Sequence, residues 1–303
     1  MNQRMNPKNL LTELAARPLL CDGAMGTQLI AAGLAPGDCG MLWCVEKPEA
    51  VESVHRRYRA AGCDLITSNS FGGCVTNLAH HNLQPRADEL NRAAVQVARR
   101  AAGESAWVLA DIGPFGGFLE PLGEMTADEL LALFAQQAAA LKSGGADAAL
   151  IETMTDPAEL AIAVRAAKKA AGWPVIATCA FDRGDGKNYR TMMGATVEVA
   201  MKEAIAAGAD VVGANCGTAM NLDDYARLAE QMVRAAGKTP VIIQPNAGAP
   251  HNVGGKDVYP ATPAEMAALV PQLLAAGVRI IGGCCGTSPD HLRAMGEALR
   301  NKS

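Results

Sequence analysis

The stretch Ala207-Gly208-Ala209-Asp210-Val211-Val212-Gly213-Ala214-Asn215-Cys216-Gly217 decides the fold. A glycine suited to ending a helix is followed within a few residues by an almost wholly apolar run, which stops at an amide and a thiol. Apolar runs that do not alternate suit strands buried on both faces, as in a parallel sheet covered by helices. The same punctuation recurs in Ala61-Gly62-Cys63-Asp64, Gly144-Gly145-Ala146-Asp147 and Ala276-Gly277-Val278-Arg279. Each reads as a helix C-cap glycine leading into the next strand. Eight short runs follow the pattern: 19–21, 64–67, 107–110, 147–151, 175–178, 210–213, 241–243 and 279–281. Between them lie alanine-rich amphipathic segments such as 127–143, 196–207 and 263–276, with Thr126, Thr196 and Thr262 placed as N-caps and Pro263 at a first helical position. Eight β-α units in one chain predict an α/β fold, a (β/α)8 barrel formed as a single domain over residues 1–303. Residues 1–17 are expected to be a helical or disordered lead-in. A doubly wound open sheet is the alternative.

Composition narrows the function. Of 303 residues half are apolar and 19% charged, so a large core is available, and aromatic content is only 4%. A net charge of -4 argues against nucleic acid or an anionic membrane as the main partner. No apolar run has the shape of a signal peptide or the length of a bilayer span. Nine cysteines, an odd number, argue against a disulfide framework and for reduced thiols or metal ligands. The expected compartment is the cytoplasm.

Three of these cysteines stand apart. Cys216 follows the sixth predicted strand, and Cys284 and Cys285 follow the eighth in Ile280-Ile281-Gly282-Gly283-Cys284-Cys285-Gly286-Thr287. One strand separates the sixth from the eighth in a closed barrel, so the three thiols converge on the C-terminal mouth, where active sites of this fold lie. Neighbouring residues of a strand point to opposite faces, but the flanking glycines permit a turn that brings both sulfurs to one point. Three thiolates suit Zn2+, and the lack of an obvious fourth protein ligand suits a catalytic site with an open position. Asn215, Asn246 or a water is placed to fill that position at rest. Cys21, Cys63 and Cys179 read as small packing residues, and Cys39, Cys44 and Cys74 as tolerated loop residues. An electron-rich zinc site binds a thiol as thiolate and leaves it nucleophilic, which points to alkyl transfer to sulfur.

Other residues define what carries that thiol. Asp22-Gly23-Ala24-Met25-Gly26-Thr27 follows the first strand and Glu152 ends the fourth. Asp22 and Glu152 are placed to hold an ammonium while backbone N–H groups of the glycine turn hold a carboxylate, which is the equipment for an amino acid. The long irregular stretches 33–48, 113–126 and 246–261 all follow strands and are expected over the mouth.

Together these residues resemble the homocysteine S-methyltransferase family. The match runs from Asp22-Gly23-Ala24-Met25-Gly26-Thr27 through Ser68-Asn69-Ser70-Phe71-Gly72, Ile112-Gly113-Pro114, Ile151-Glu152-Thr153, Asn215-Cys216-Gly217 and Gln244-Pro245-Asn246-Ala247-Gly248 to Gly282-Gly283-Cys284-Cys285-Gly286-Thr287. The resemblance implies a zinc-dependent barrel with Cys216, Cys284 and Cys285 as the catalytic metal site. It further implies that Asp22 and Glu152 hold the amino group of L-homocysteine, with Gly23, Ala24 and Ser68 facing its carboxylate. Betaine enzymes of the family place aromatic residues around a quaternary ammonium. The matching positions here are Gly72 and Thr153, and Trp43 is displaced in its loop. The chain ends soon after the last predicted helix, and no pterin-binding or cobalamin-binding module is read from it. The expected methyl donor is therefore a separate methyl-corrinoid protein or a small sulfonium. Betaine-dependent transfer, methylation of another thiol or a selenol, and a non-catalytic thiol-binding subunit are the alternatives.

Overall fold

The eight apolar runs form eight parallel strands: β1 (Leu19–Leu20), β2 (Leu65–Thr67), β3 (Trp107–Ile112), β4 (Ala148–Met154), β5 (Val175–Cys179), β6 (Val211–Asn215), β7 (Val241–Gln244) and β8 (Ile280–Ile281). The computed structural model describes residues 9–184, 188–254 and 256–301. Strand order runs β1-β8-β7-β6-β5-β4-β3-β2. The circle closes at β1 and β2 through a parallel bridge between Cys21 and Leu65, where Asp64 N–H donates to Leu20 O at 2.8 Å and Asp22 N–H to Leu65 O at 3.1 Å. The open-sheet alternative is thereby set aside. Around the barrel pack helices Pro48–Ala60, Ala87–Ala102, Ala127–Gly144, Pro157–Ala171, Val197–Ala206, Leu222–Ala236, Pro263–Ala276 and Pro289–Arg300.

Thr126, Thr196 and Thr262 each accept a hydrogen bond from the third residue of the helix they precede, satisfying N–H groups that have no intrahelical partner. The glycines read as helix ends are left-handed, with φ of 96°, 96°, 105° and 102° at Gly62, Gly145, Gly208 and Gly277. The aspartates that follow them do more than begin strands. Asp64, Asp147 and Asp210 each accept a backbone N–H from the start of the preceding strand, Leu20 at 2.9 Å, Val108 at 2.7 Å and Val175 at 2.7 Å. Each also pairs with a cation, Arg17, Arg99 and Lys168 respectively. One carboxylate per unit thus pins neighbouring strands at the bottom of the barrel. Arg279 holds the corresponding place before β8 and instead donates to Leu14 O at 2.6 Å, capping the C-terminal end of helix Leu10–Ala16.

That helix is the bottom plug. Leu10 and Leu14 are buried against the inward side chains Leu19, Leu65, Trp107, Leu109, Leu150, Ile242 and Ile280. Of the lead-in read at 1–17, this portion is helical; residues 1–8 lie outside the described residues. Two residues further along each strand the inward side chain becomes polar: Thr67 on β2, Asp111 on β3, Glu152 on β4, Thr178 on β5 and Gln244 on β7, with Asn215 two steps on along β6. The barrel interior is therefore apolar below and polar at the mouth. The mouth loops are more ordered than their composition suggested. Segment 33–48 contains a 3-10 turn (Gly40–Leu42) and a short helix (Trp43–Glu46), and 246–261 contains a hairpin of His251–Val253 with Lys256–Val258.

Because Leu14 is almost fully buried under the barrel, Leu14→Ala is expected to cost about 2–5 kcal/mol, measured as a shift in the denaturant midpoint. A loss below about 0.5 kcal/mol would show that the helix is an ornament and not part of the core.

Candidate active site

Cys216, Cys284 and Cys285 meet at the mouth, their sulfurs all within 4.8 Å of one another. Cys285 Sγ lies 4.0 Å from both Cys216 Sγ and Cys284 Sγ. Tetrahedral coordination with metal–sulfur bonds of 2.3 Å separates two sulfurs by about 3.8 Å, so the spacing and the all-thiol donor set fit zinc.

The backbone brings the sulfurs together. Cys216, directly after β6, has φ 57°, an uncommon conformation for a residue with a side chain. It is held there by the Tyr225 hydroxyl, which donates to Cys216 O, and by Asn246 Nδ2, which donates to Gly217 O at 2.9 Å. After β8 the chain leaves the sheet. Cys284 N–H donates to Pro245 O at 2.8 Å, and Cys284 O accepts from Thr287 N–H at 3.1 Å and Thr287 Oγ1 at 2.7 Å. That turn lets adjacent cysteines share one face, as the glycines around them suggested. The two thiols donating toward Cys216 lower its pKa, while Cys284 and Cys285 are correspondingly raised.

Opposite the thiols stand the carboxyls. Asp22 accepts from Thr67 N–H at 2.8 Å and Thr67 Oγ1 at 2.7 Å, yet burial pushes it up to about 7. Glu152 is raised to about 8 by burial, then by the charges of Cys216 and Asp22. Its Oε2 accepts from Asn215 Nδ2 at 3.2 Å. Asn215 joins the two halves of the site. Its oxygen accepts from Thr153 N–H at 2.8 Å and Thr178 Oγ1 at 2.7 Å, while Nδ2 donates to Thr153 Oγ1 at 2.7 Å and lies 3.8 Å from Cys284 Sγ. With two donors already on that oxygen, Asn215 is a brace for Glu152 and the bulged end of β4 and does not serve as a fourth metal ligand. Thr153 takes φ 61° at the bulge.

Asp22, Gly23, Ala24, Ser68, Glu152 and the three cysteines all line one cavity of 580 Å³. Their donors are not equally free. Ala24 N–H is given to Thr287 Oγ1 at 3.1 Å. Ser68 Oγ accepts from Asp111 N–H at 3.1 Å and lies 2.7 Å from Ser70 Oγ, whose own proton goes to Asp111 O at 2.8 Å. The Ser68 proton is therefore committed to Ser70, and Gly23 N–H is left without an acceptor among the described residues. Gly23 also needs to be glycine, since a Cβ there would sit 2.5 Å from Thr287 Oγ1 and 2.8 Å from Leu292 Cδ2. Trp43 faces the core, with Lys47 Nζ stacked 4.2 Å from its ring, and the aromatic side chain on the cavity wall is Phe71. Thr67, Asp111 and Gln244 are cavity-lining residues that motif reading passed over or left unassigned. Strand parity, counted inward from Leu65, Leu109 and Ile242, would have found them.

Thiols convergent with buried carboxyls at the mouth of a (β/α)8 barrel are the layout of a barrel enzyme. The chain belongs to the homocysteine S-methyltransferase family, whose profile matches residues 19–299. It is 33% identical to methionine synthase of Mycobacterium leprae over 98% of this chain and 26% of that protein, and 33% identical to methionine synthase of Mycobacterium tuberculosis over 97% and 25%. The chain thus spans about a quarter of the length of these relatives. The metallated form of the homocysteine methyltransferase MmuM from Escherichia coli shares the fold, with a TM-score of 0.78 at 23% identity over 96% of this chain and 99% of that one.

Removing the Asn215 side chain strands Thr153 N–H and leaves the Thr178 hydroxyl only its longer bond to Ile151 O at 3.4 Å. Asn215→Ala is expected to cost about 1–3 kcal/mol, the cost of one stranded buried group, read from thermal or denaturant unfolding. A cost under about 0.5 kcal/mol would remove Asn215 as the brace of the site.

Proposed function

We propose that the protein transfers a methyl group to the thiol of L-homocysteine, giving methionine, with Zn2+ held by Cys216, Cys284 and Cys285. The observation that carries this is one cavity with three sulfurs within 4.8 Å of one another on one wall and the buried Asp22 and Glu152 on another. Zinc, when bound, supplies a soft Lewis acid that holds the substrate sulfur as thiolate at neutral pH. The protein does the rest. Asp22 and Glu152 take the ammonium, Gly23 N–H takes a carboxylate oxygen, and Asn215 keeps Glu152 aimed at the cavity. With both ends held, the sulfur has one direction of attack. Its lone pair forms the S–CH3 bond as the donor's methyl bond breaks, and that electron pair leaves with the donor.

The cavity lining also bears on the donor. It contains Asp22, Asp38, Asp111 and Glu152 and, among the described residues, no lysine or arginine. A methylated sulfonium, being cationic, gains from this field, and a polyanionic donor loses. Exposed apolar side chains on the mouth loops, including Phe118, Leu122 and Met192, suit docking of a methyl-corrinoid protein, the other donor we propose. Betaine is disfavoured because Trp43 is turned into the core. No helix among the described residues is long and apolar enough to cross a membrane. All nine cysteines are free thiols, which suits a reducing compartment such as the cytoplasm.

Zinc-loaded protein is expected to form methionine from homocysteine when offered a methylsulfonium or methylcobalamin, with about one zinc per chain. Cys285→Ser is expected to lose the metal and more than 99% of the activity, beyond the roughly 10–100-fold effect of an outer-shell change, with an unchanged far-UV circular dichroism spectrum. Full activity without bound zinc would overturn the mechanism.

The carboxyls predict a pH dependence. Asp22 near 7 and Glu152 near 8 are protonated in the empty site at low pH, and an ammonium ligand needs them ionised. Affinity for methionine, which has no thiol to ionise, is expected to rise as pH goes from about 6 to 8, by up to about tenfold per unit for each proton released. Asp22→Asn should bind more weakly with a shallower slope in calorimetric titrations. An unchanged slope would remove Asp22 from the ammonium site.

A further inference from the structure

Three buried oxygens beside the cavity have no hydrogen-bond partner among the described residues, Thr27 Oγ1, Asp111 Oδ1 and Gln244 Oε1. Asp111 is the most demanding, because an ionisable group is 5% exposed with nothing donating to that oxygen. Its neighbours serve only its backbone. Ser68 Oγ accepts from Asp111 N–H and Ser70 Oγ donates to Asp111 O. The side chain stands on the inward face of β3 in the layer that holds Thr67 and Glu152. Asp111 pairs with Leu150, two residues below Glu152 on the adjacent strand. Burial, and then the charges of Glu152 and Asp22, raise its pKa well above that of an ordinary aspartate. Three carboxyls thus line one cavity whose described lining holds no lysine or arginine and a single histidine, His81.

A buried polar atom left unpaired is costly, and carboxyls crowded together ionise readily only when a counter-charge arrives. Both needs are met by a ligand that brings a cation with several N–H groups. The acceptors already described are partly used. Both oxygens of Asp22 take bonds from Thr67, and Glu152 Oε2 takes one from Asn215. An ammonium has three protons.

We propose that Asp111 is a third acceptor for the substrate ammonium and sets the preference for an α-amino thiol over a simple thiol. The assignment rests on the homocysteine reading and goes beyond it by naming the residue that rejects substrates lacking the amino group. It is a binding residue and takes no part in the reaction at sulfur.

The test compares homocysteine with γ-mercaptobutyrate, which keeps the thiol, chain and carboxylate but has no amino group. Binding of each to zinc-loaded wild type, Asp111→Asn and Asp111→Ser is measured by calorimetry, with zinc content and melting temperature as controls. Loss of an acceptor for a charged donor is expected to weaken homocysteine about 10–100-fold and leave γ-mercaptobutyrate within about twofold. Equal weakening of both ligands in the variant that folds, or no change in either, would overturn the assignment. Failure of both variants to fold and load zinc would likewise overturn it, making Asp111 a structural residue. A wild type that binds γ-mercaptobutyrate as tightly as homocysteine would overturn the homocysteine reading itself, and the role of Asp111 with it.

Discussion

Three sulfurs within 4.8 Å of one another do not hold themselves in place. Without a metal they repel as thiolates and bond only weakly as thiols, so their convergence is imposed by the chain on either side. At β6 the imposition is a left-handed Cys216 fastened by the Tyr225 hydroxyl. At β8 it is a turn whose carbonyl is closed by Thr287. Thr287 then reaches across to Ala24 N–H, and Tyr58 OH donates to Ala24 O at 2.7 Å. The loop that carries Asp22 is therefore built against the loop that carries two of the thiols. The thiol cluster and the carboxyl loop are one piece of backbone.

The second constraint is the barrel interior. An eight-stranded barrel is filled by its own inward side chains, and the lower layers here are leucine, isoleucine, valine and alanine, with Trp107 and Cys21. Polar inward residues at that depth would face an apolar core and a buried plug. They are confined to the upper layer, where Thr67, Thr178 and Asn215 satisfy one another and the carboxyls. Chemistry and stability are separated along the barrel axis. The aspartate pins and the Leu10–Ala16 plug act at one end, the thiols and carboxyls at the other.

Much of this is legible in the amino-acid order because the signals are local. Apolar runs of three to five residues, a glycine before most and a threonine cap after several are short-range rules, and the strands and helices follow them. The three convergent cysteines are legible because a thiol next to glycine at a strand end is seldom needed for packing alone. Ser68 shows the limit. Its neighbourhood in the chain marks it as a substrate contact, but its hydroxyl is engaged by Ser70 and by Asp111 N–H from the next strand. Trp43 is similar, sitting in the right loop and turned inward. Partners of side-chain hydrogen bonds lie dozens of residues away, as with Asn215 and Thr153, and no local pattern records them.

The aspartate pins carry one more consequence. Asp64, Asp147 and Asp210 make the same two attachments, one to the backbone of the preceding strand and one to a basic side chain on the helix before it or on the lead-in. Each junction is thus chemically interchangeable with the others, while the loops at the opposite end are all different. A chain built this way can exchange one β-α unit for another by recombination at the pins, and acquire a new substrate pocket without relearning how to close its barrel.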